Sequence, residues 1–416
     1  MLVSVVIPTS DRGEYLRHCL AVALRISTPD VEIVVSDNAS TDDTKDIIQS
    51  ANSSRVRHIE TGRRVSMRQN FEYALEESKG EYVVFIGDDD AILPGQFDGL
   101  SQILNTQAPD ALSWAAPLFV WPNPDNGGKS RGFRMVKNRA FGLPEQIDVQ
   151  ERRHVMRVGA LHKFQPAPGI YHACMSRSFI KDKLAGADGT CFLARSPDTY
   201  MAMRALQVGG NFMHCRHPFS MHGRGAKSTG GSYASFGRNK RNDAPSTETR
   251  FEREVKTDAV KDAIPIAKSV NIDFLSTLET IKGHFPDPKM EVDYLSWYRT
   301  ILNELAKKNA ATKESVLQIM ADYAVVNGTE QVLERALKSP QVSLVQAKMA
   351  WHKNMDKLGS YRVAGGDAGF DTVDAAAAAC DFILGTDFEQ VLSGQIKHQT
   401  AWANAKKRFQ SSQFGS

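Results

Sequence analysis

Short apolar segments that end in polar residues alternate with amphipathic stretches over the first hundred residues of this chain. Strands are expected at Leu2–Pro8, Val31–Val35 and Tyr82–Ile86. The stretch from Glu14 to Leu24 has helical spacing. Strands that alternate with helices are typical of parallel βαβ units joined by right-handed crossovers. The sequence therefore predicts an α/β fold whose polar strand ends meet at one edge of a sheet.

An acidic run, Gly87-Asp88-Asp89-Asp90, follows the third of these strands. On spacing alone such a run is as easily a solvated turn. At the mouth of a buried parallel strand, however, three carboxylates lie where open α/β sheets bind ligands, and a divalent metal relieves their repulsion. Because oxygen ligands suit Mg²⁺ or Mn²⁺ bridging to a diphosphate, we expect a metal and nucleotide site here.

The Gly-rich phosphate loops of two large enzyme classes are missing. No G-x-G-x-x-G follows the first two strands, and no G-x-x-x-x-G-K-[ST] occurs in the chain. Their absence argues against dehydrogenases and P-loop kinases. Asp37, which follows the second strand, could instead hold a base or ribose while a metal holds the diphosphate.

Four segments in this order resemble the motifs of family 2 glycosyltransferases with the GT-A fold. They are Val5–Thr9, Ser36–Asp42, Arg68–Asn70 and Gly87–Asp90. The resemblance covers about the first 100 residues well and continues more loosely to about residue 230. It implies a Rossmann-like mixed sheet flanked by helices and an inverting, metal-dependent sugar transfer in bacterial surface-polysaccharide synthesis.

The resemblance assigns nucleotide contacts to the residues after the first two strands. Residues that match Thr9 and Asp37 contact the base and its ribose in the family, so Pro8, Asp11 and Arg12 become candidates with them. Arg12 can equally be a solvated residue at the start of a helix.

The pair that supports the diphosphate and the sugar in the family matches Arg68 and Asn70, here separated by Gln69. The stretch before it, Gly62–Met67, departs from the usual small residues of the family. Its two arginines add positive charge suited to phosphate.

The acidic run also departs from the commonest family pattern, because Gly87 takes the place of its first acidic residue. By the resemblance, Asp89 is the direct metal ligand. Asp88 is a ribose contact or the second ligand, and Asp90 contacts the donor sugar.

An acceptor hydroxyl needs a base, since it is a weak nucleophile until a carboxylate takes its proton. In inverting members an acidic residue opens a helix about a hundred residues after the metal motif, and Asp198 fits that position. Asp198 after Pro197 is also what helix capping and the helix dipole favour. Asp188, in a Gly-rich turn, is the reserve candidate.

A Gly-rich polar segment follows at Ser220–Ser228. In it His222 is either a third metal ligand or an ordinary packed residue, and Arg224 and Lys227 could neutralise the leaving diphosphate. The stretch from Ala226 to Asp243 is predicted to be a mobile lid or linker that excludes water.

The region from about residue 112 to 195 is expected to be the mixed-sheet part where the acceptor binds. Its aromatic residues Trp121, Tyr171 and His172 could stack on or bond to a sugar, although we favour a core position for Trp121.

Helical spacing begins at about residue 250, which predicts a catalytic domain at residues 1–245 and a helical domain at residues 246–416. The first would divide into a nucleotide half, 1–110, and an acceptor half with the lid, 111–245. The helical domain could recognise acceptor, form a homo-oligomer or dock on a membrane. A basic, aromatic segment at Lys406–Phe409 is either a membrane contact or a solvated terminus.

Composition excludes several classes of protein. The net charge of +3, with both signs interspersed, argues against a nucleic-acid partner. Five cysteines without a C-x-x-C pair indicate neither a disulfide framework nor a zinc site. No charged leader with an apolar core opens the chain, so a cytoplasmic location is expected, with contact at the inner face of the cell membrane an open alternative.

The sequence thus predicts an enzyme that uses Mn²⁺ or Mg²⁺ to move a sugar from a nucleotide donor, a UDP-sugar first, to a hydroxyl of a glycan or lipid-linked acceptor. Two alternatives stay open. One is a sugar-phosphate nucleotidyltransferase, which would need a Gly-rich basic loop after the first strand. The other is a non-catalytic glycan-binding scaffold on a transferase fold.

Overall fold

The computed structural model describes residues 1–122, 128–226, 245–338, 360–363 and 370–412. Strands lie at β1 Val3–Thr9, β2 Val31–Asp37, β3 Val56–Glu60, β4 Tyr82–Phe85, β5 Ala91–Ile92, β6 Ala111–Trp114, β7 Leu118–Val120, β8 Phe133–Val136, β9 Pro144–Gln146, β10 Ala173–Ser176, β11 Phe212–Cys215, β12 Ser220–Arg224 and β13 Ser360–Val363.

Helices flank these strands and dominate the later part of the chain. They lie at α1 Gly13–Ala23, α2 Thr44–Ser50, α3 Met67–Glu77, α4 Phe97–Gln107, α5 Val149–Arg157, α6 Arg177–Phe179, α7 Pro197–Val208, α8 Pro245–Thr257, α9 Val270–His284, α10 Tyr294–Leu305, α11 Ala310–Val326, α12 Glu330–Lys338, α13 Val373–Leu384, α14 Asp387–Leu392 and α15 His398–Ser411.

Within the described ranges, eight strands form one mixed sheet in the order β3-β2-β1-β4-β10-β6-β11-β9. The first four are parallel, as the βαβ pattern predicts, and β10 is antiparallel to both of its neighbours. A smaller sheet, β5-β12-β7, carries the residues that follow the acidic run. The predicted α/β class, with a mixed sheet and a helical C-terminal region, is confirmed.

Buried apolar side chains cover both faces of the large sheet. Along β1, Val5 and Ile7 belong to one core and Val6 to the other, because successive side chains of a strand point to opposite faces. Strands covered on both faces read as continuous apolar runs, which explains why this part of the sheet could be located from sequence.

The C-terminal helices complete these same two cores. Helices α9 to α12 pack on one face, where Trp297 and Tyr298 are fully buried with Tyr200 of α7. Helices α13 to α15 pack on the other face, where Val373 joins the core under α1. These helices therefore share cores with the sheet, and the domain division at residues 245 and 246 stays a prediction.

In the described part of the chain, no helix combines the length and apolar character needed to cross a lipid bilayer.

Candidate active site

A cleft of about 580 Å³ opens at the carboxyl ends of β1 and β4. Its walls come from the loops after these strands, the start of α7, strand β12 and two C-terminal helices. The predicted site residues that line it are Pro8, Thr9, Arg12, Asn70, Asp88, Asp89, Asp90, Asp198 and His222. The parallel strand ends explain why residues so far apart in sequence share one cleft.

Arg12 binds the first two carboxylates of the acidic run. Its Nε lies 3.1 Å from Asp88 Oδ1, and a terminal nitrogen lies 2.9 Å from Asp89 Oδ2. Thr9 Oγ1 donates to the other oxygen of Asp88 at 2.7 Å. Both carboxylates are nearly fully buried. Arg12 is thus a partner of the acidic run rather than a solvated helix start.

The third carboxylate, Asp90, is saturated with hydrogen bonds. Its Oδ2 accepts from the Gly87 amide at 2.7 Å and the Tyr171 hydroxyl at 2.5 Å, and it lies 2.9 Å from His172 Nε2. Its Oδ1 accepts from the Gly223 amide at 2.7 Å. Burial raises the pKa of Asp90, but its histidine neighbours and Tyr171 outweigh burial and hold it below the ordinary value. Asp90 thus connects three loops and also lines the cleft, and its contact with the donor sugar stays a prediction.

His222 is the histidine with room for a ligand. Asp90, His172 and His222 each offer a possible metal-ligand atom, all within 4.8 Å of one another. However, His172 uses Nε2 for Asp90 and Nδ1 for Ser220 Oγ at 2.7 Å. No described residue hydrogen-bonds the ring nitrogens of His222. Burial, with a smaller contribution from the neighbouring His172, lowers the pKa of His222 to about 3. A neutral imidazole is the form that binds metal.

The acidic run contains more negative charge than its surroundings neutralise. Arg12 pairs with two of the three buried carboxylates, Asp88 and Asp89, and the third, Asp90, lies 2.9 Å from His172 Nε2. Burial raises the pKa of Asp88 to about 7 and also raises that of Asp89, helped by the neighbouring carboxylates and opposed by Arg12. An added cation would remove this imbalance.

Asp198 lies in the first turn of α7 and faces the same cleft. Ser196 is the N-cap residue, so capping does not explain Asp198. The Asp198 side chain is exposed to the cleft. The protein packed around the carboxylate keeps water from part of it, which raises its pKa, and Asp273 adds to the shift. The reserve candidate Asp188 is instead an exposed turn residue that accepts hydrogen bonds from Thr190.

Two predicted nucleotide-site residues, Asp11 and Asp37, accept hydrogen bonds from other parts of the protein. Asp11 accepts from Thr41, Arg64 and Arg250, and although burial opposes it these bonds lower its pKa to about 2. Asp37 Oδ1 caps the turn at Ser40, 2.9 Å away.

Arg68 points away from the cleft, which corrects the prediction that it supports the diphosphate. Its Nε and a terminal nitrogen bind the two carboxylate oxygens of Asp258, each at 2.8 Å, and a further nitrogen donates to Phe192 O. Asn70 does line the cleft, where it accepts from Ser36 Oγ at 2.6 Å.

The aromatic residues of the middle region lie in different surroundings. Trp121 is buried in the core, and its indole nitrogen donates to Asp89 O at 2.9 Å, whereas Tyr171 lines the cleft. Arg224 also lines the cleft. Lys227 and nearly all of the predicted lid, from 227 to 243, lie outside the described residues.

Sequence reasoning missed the cleft residues on α8 and α9. Arg250, Glu254 and Asp273 line the cleft although they lie in the region predicted to be a separate helical domain. Their only sequence signal is charge on helices that are otherwise apolar on one side, and such charge is normally a solvated face.

Comparison with known proteins finds a family match in the N-terminal part of the chain. Residues 4–150, about a third of the chain, match the model of glycosyl transferase family 2. The matched family 2 region contains β1 to β4 and the acidic run, so it contains the strand ends that form the cleft.

Two curated relatives match part of this chain. A GalNAc(5)-diNAcBac-PP-undecaprenol beta-1,3-glucosyltransferase of Campylobacter jejuni is 31% identical over 106 residues, 25% of this chain and 34% of the relative. The UDP-Glc:alpha-D-GlcNAc-diphosphoundecaprenol beta-1,3-glucosyltransferase WfaP of Escherichia coli is 32% identical over 89 residues, 21% of this chain and 36% of the relative. The matches thus span about a third of each relative.

Among solved structures, the TarS 1-349 fragment of S. aureus in complex with UDP-GlcNAc aligns with a TM-score of 0.44 and 14% identity. The alignment covers 81% of this chain and 92% of that one.

Proposed function

We propose that this protein is an inverting glycosyltransferase that moves a sugar from a nucleotide donor to a hydroxyl group of a glycan or glycolipid. The observation that carries the proposal is that Asp198 lines the same cleft as the acidic run of a family 2 domain. A base and a group that binds the leaving phosphate are what direct displacement at a sugar carbon requires.

In this reaction Asp198 takes the proton of the acceptor hydroxyl. The acceptor oxygen forms a bond to C1 of the sugar while the bond from C1 to the phosphate oxygen breaks, and the electron pair leaves with the diphosphate. Attack from the side opposite the leaving group inverts the anomeric centre. The raised pKa of Asp198 suits a base, because the proton is accepted more readily than by an ordinary aspartate.

A divalent cation fits the donor set of this cleft. Asp89 Oδ2 receives Arg12 and the Gly225 amide, whereas no described residue hydrogen-bonds its Oδ1. Together with His222 this oxygen would hold the ion, and Asp88 is the remaining predicted ligand. Carboxylate combined with imidazole suits Mn²⁺ better than Mg²⁺. When bound, the ion would neutralise charge on the departing diphosphate.

We further propose a UDP-sugar donor and a lipid-linked acceptor. Support comes from the names of the two relatives, which are glucosyltransferases acting on diphosphoundecaprenol-linked sugars, one of them with UDP-Glc. A lipid-linked acceptor would place the protein in the cytoplasm, at the inner face of the membrane. The exposed Lys406 and Lys407 of α15 would then be available to anionic lipid.

The test is transfer by purified protein from a panel of UDP-, GDP- and dTDP-sugars, with and without Mn²⁺. Asp198→Asn should keep donor binding and lose transfer by at least about 100-fold, the lower range for a general base. Asp188→Asn is the matched control and should retain activity, because Asp188 lies in an exposed turn. Donor binding without turnover would favour the non-catalytic scaffold, and no nucleotide binding under any metal would contradict the proposal.

A further inference from the structure

The start of α7, which carries Asp198, is tied to a carboxylate from a C-terminal helix. Asp273 lies in the first turn of α9. Its Oδ1 accepts from Arg195 Nε at 2.6 Å, and its Oδ2 accepts a short hydrogen bond from Ser196 Oγ. Residues 195 and 196 directly precede α7, so this carboxylate holds the backbone from which the helix begins.

The bond to Asp273 changes what Ser196 does. A serine at the N-cap normally accepts a hydrogen bond from an amide of the first helical turn. Here its hydroxyl donates to Asp273, and Ser196 makes no side-chain cap to α7. The side chain of Ser196 is therefore committed to Asp273 and does not cap the first turn, in which Asp198 lies.

Asp273 also faces the cleft itself. Its side chain is 18% exposed, and it lines the cleft with Asp198. Arg195, the cation that neutralises it, is only 3% exposed and is shared with Asp262, 3.4 Å away. The guanidinium of Arg195 is thus buried behind the start of α7, while its partner Asp273 is exposed to the cleft.

We propose that Asp273 is a positioning residue, which fixes the start of α7 and places a second negative charge beside Asp198. This inference rests on the proposed role of Asp198 as the base. A like charge nearby makes a carboxylate hold its proton more tightly, and Asp273 contributes in that direction. Tyr171 is another titratable neighbour. The same cleft is lined by further titratable or charged groups, which are Arg12, Asp88, Asp89, Asp90, His222, Arg224, Arg250 and Glu254.

The decisive variant is Asp273→Asn, which removes the charge and keeps the size. The acid limb of the pH profile of kcat/KM should move to lower pH, because Asp198 then loses its proton more easily. Asp273→Ala should in addition lower the plateau of kcat/KM by about 10- to 100-fold, the cost of a misplaced catalytic group.

Asp262→Asn is the matched control. Asp262 also binds Arg195, at its amide and its guanidinium, but does not line the cleft. It should leave the acid limb in place. An equal shift in Asp262→Asn, or no shift in Asp273→Asn, would overturn the proposal.

A second measurement needs no substrate. In protein labelled with ¹³C at aspartate carboxyl groups, the Asp198 signal is assigned by its loss in Asp198→Asn and titrated with and without Asp273→Asn. Its titration should move to lower pH in the variant, and an unchanged titration would overturn the proposal. Absence of transfer by the native protein would instead count against the proposed function and leave this titration as the test of Asp273.

Discussion

Gly223 lies against the backbone of Asp89 so closely that a Cβ at position 223 would be 1.6 Å from the Asp89 carbonyl oxygen. The Gly223 amide meanwhile donates to Asp90 Oδ1 at 2.7 Å. Strand β12 can approach the acidic run only because residue 223 has no side chain. This contact brings His222 to the carboxylates.

We expect Gly223→Ala to separate β12 from the acidic run and abolish Mn²⁺-dependent donor binding. The backbone must move, which we expect to lower the free energy of unfolding by about 3 kcal/mol, the upper range for overpacking. Calorimetric titration with UDP and Mn²⁺, together with urea unfolding, measures both effects.

Gly283→Ala on α9 is the control, because a Cβ there meets nothing within 4 Å. It should bind donor normally and gain up to about 1 kcal/mol in stability from better helix propensity. Normal donor binding by Gly223→Ala would show that β12 is not needed for the site.

Histidines 222 and 172 should differ in what they support. His222→Ala should weaken Mn²⁺ binding. The loss of affinity should exceed the roughly 10- to 100-fold loss that follows removal of an outer-shell partner of a metal ligand. His172→Ala should chiefly lower stability, by about 1–3 kcal/mol, because it removes one hydrogen-bond partner each from the buried Asp90 and Ser220. Mn²⁺ titration followed by electron paramagnetic resonance, alongside thermal unfolding, distinguishes the two. A loss of metal affinity in His172→Ala at unchanged stability would place the ion on Asp90 and His172 instead.

The ion pair between Arg68 and Asp258 should be structural. Arg68→Gln leaves a buried carboxylate unpaired and should cost about 3–5 kcal/mol at pH 7. Burial raises the pKa of Asp258, but Arg68 and Ser66 outweigh it and hold the pKa below the ordinary value of 3.8. The stability from this pair is therefore present above that value and is lost as pH falls through the lower pKa of the folded state.

Urea unfolding of the native protein and Arg68→Gln across pH 3 to 8 should show a gap that narrows at the acid end, about where aspartate takes up its proton. Lys338→Gln serves as the control, because Lys338 pairs with Glu334 at the surface, and its loss should cost less than about 0.5 kcal/mol at any pH. If Arg68→Gln kept its stability but lost donor binding, the result would show that Arg68 binds the diphosphate and is not structural.

The sheet and the acidic run could be located from sequence because both signals are local. Apolar runs such as Tyr82–Phe85 and the carboxylates that follow them are read directly from neighbouring residues. The individual roles of Asp88, Asp89 and Asp90 could not be separated this way. Their difference comes from partners at positions 9, 12, 171, 172, 223 and 225, which only the folded chain brings together.

The direction of Arg68 and the proposed role of Asp273 could not be predicted from sequence, because both depend on partners that are distant along the chain. Asp258, which turns Arg68 from the cleft, lies 190 residues away along the chain. A charged residue on a helix normally indicates a solvated face, and nothing local distinguishes Asp273 from such a residue. The mainly helical character of the C-terminal region was correctly predicted, but spacing does not reveal which surface a helical stripe covers.

The shared cores lead to a prediction about Trp297 of α10. Its ring is fully buried, and its indole nitrogen donates to Met156 O at 3.1 Å. The ring packs so closely on Gly159 that a Cβ added at residue 159 would lie 2.7 Å from it. Trp297→Ala should lower the free energy of unfolding by about 3–5 kcal/mol. Because this core continues to Val6 of β1, hydrogen exchange should accelerate in the strands as well as in α10. As a control, Val326→Ala at an exposed position of α11 should change stability by less than about 0.5 kcal/mol. If Trp297→Ala opened α10 while β1 kept its native protection, the helices would form the separate domain that the sequence pattern predicts.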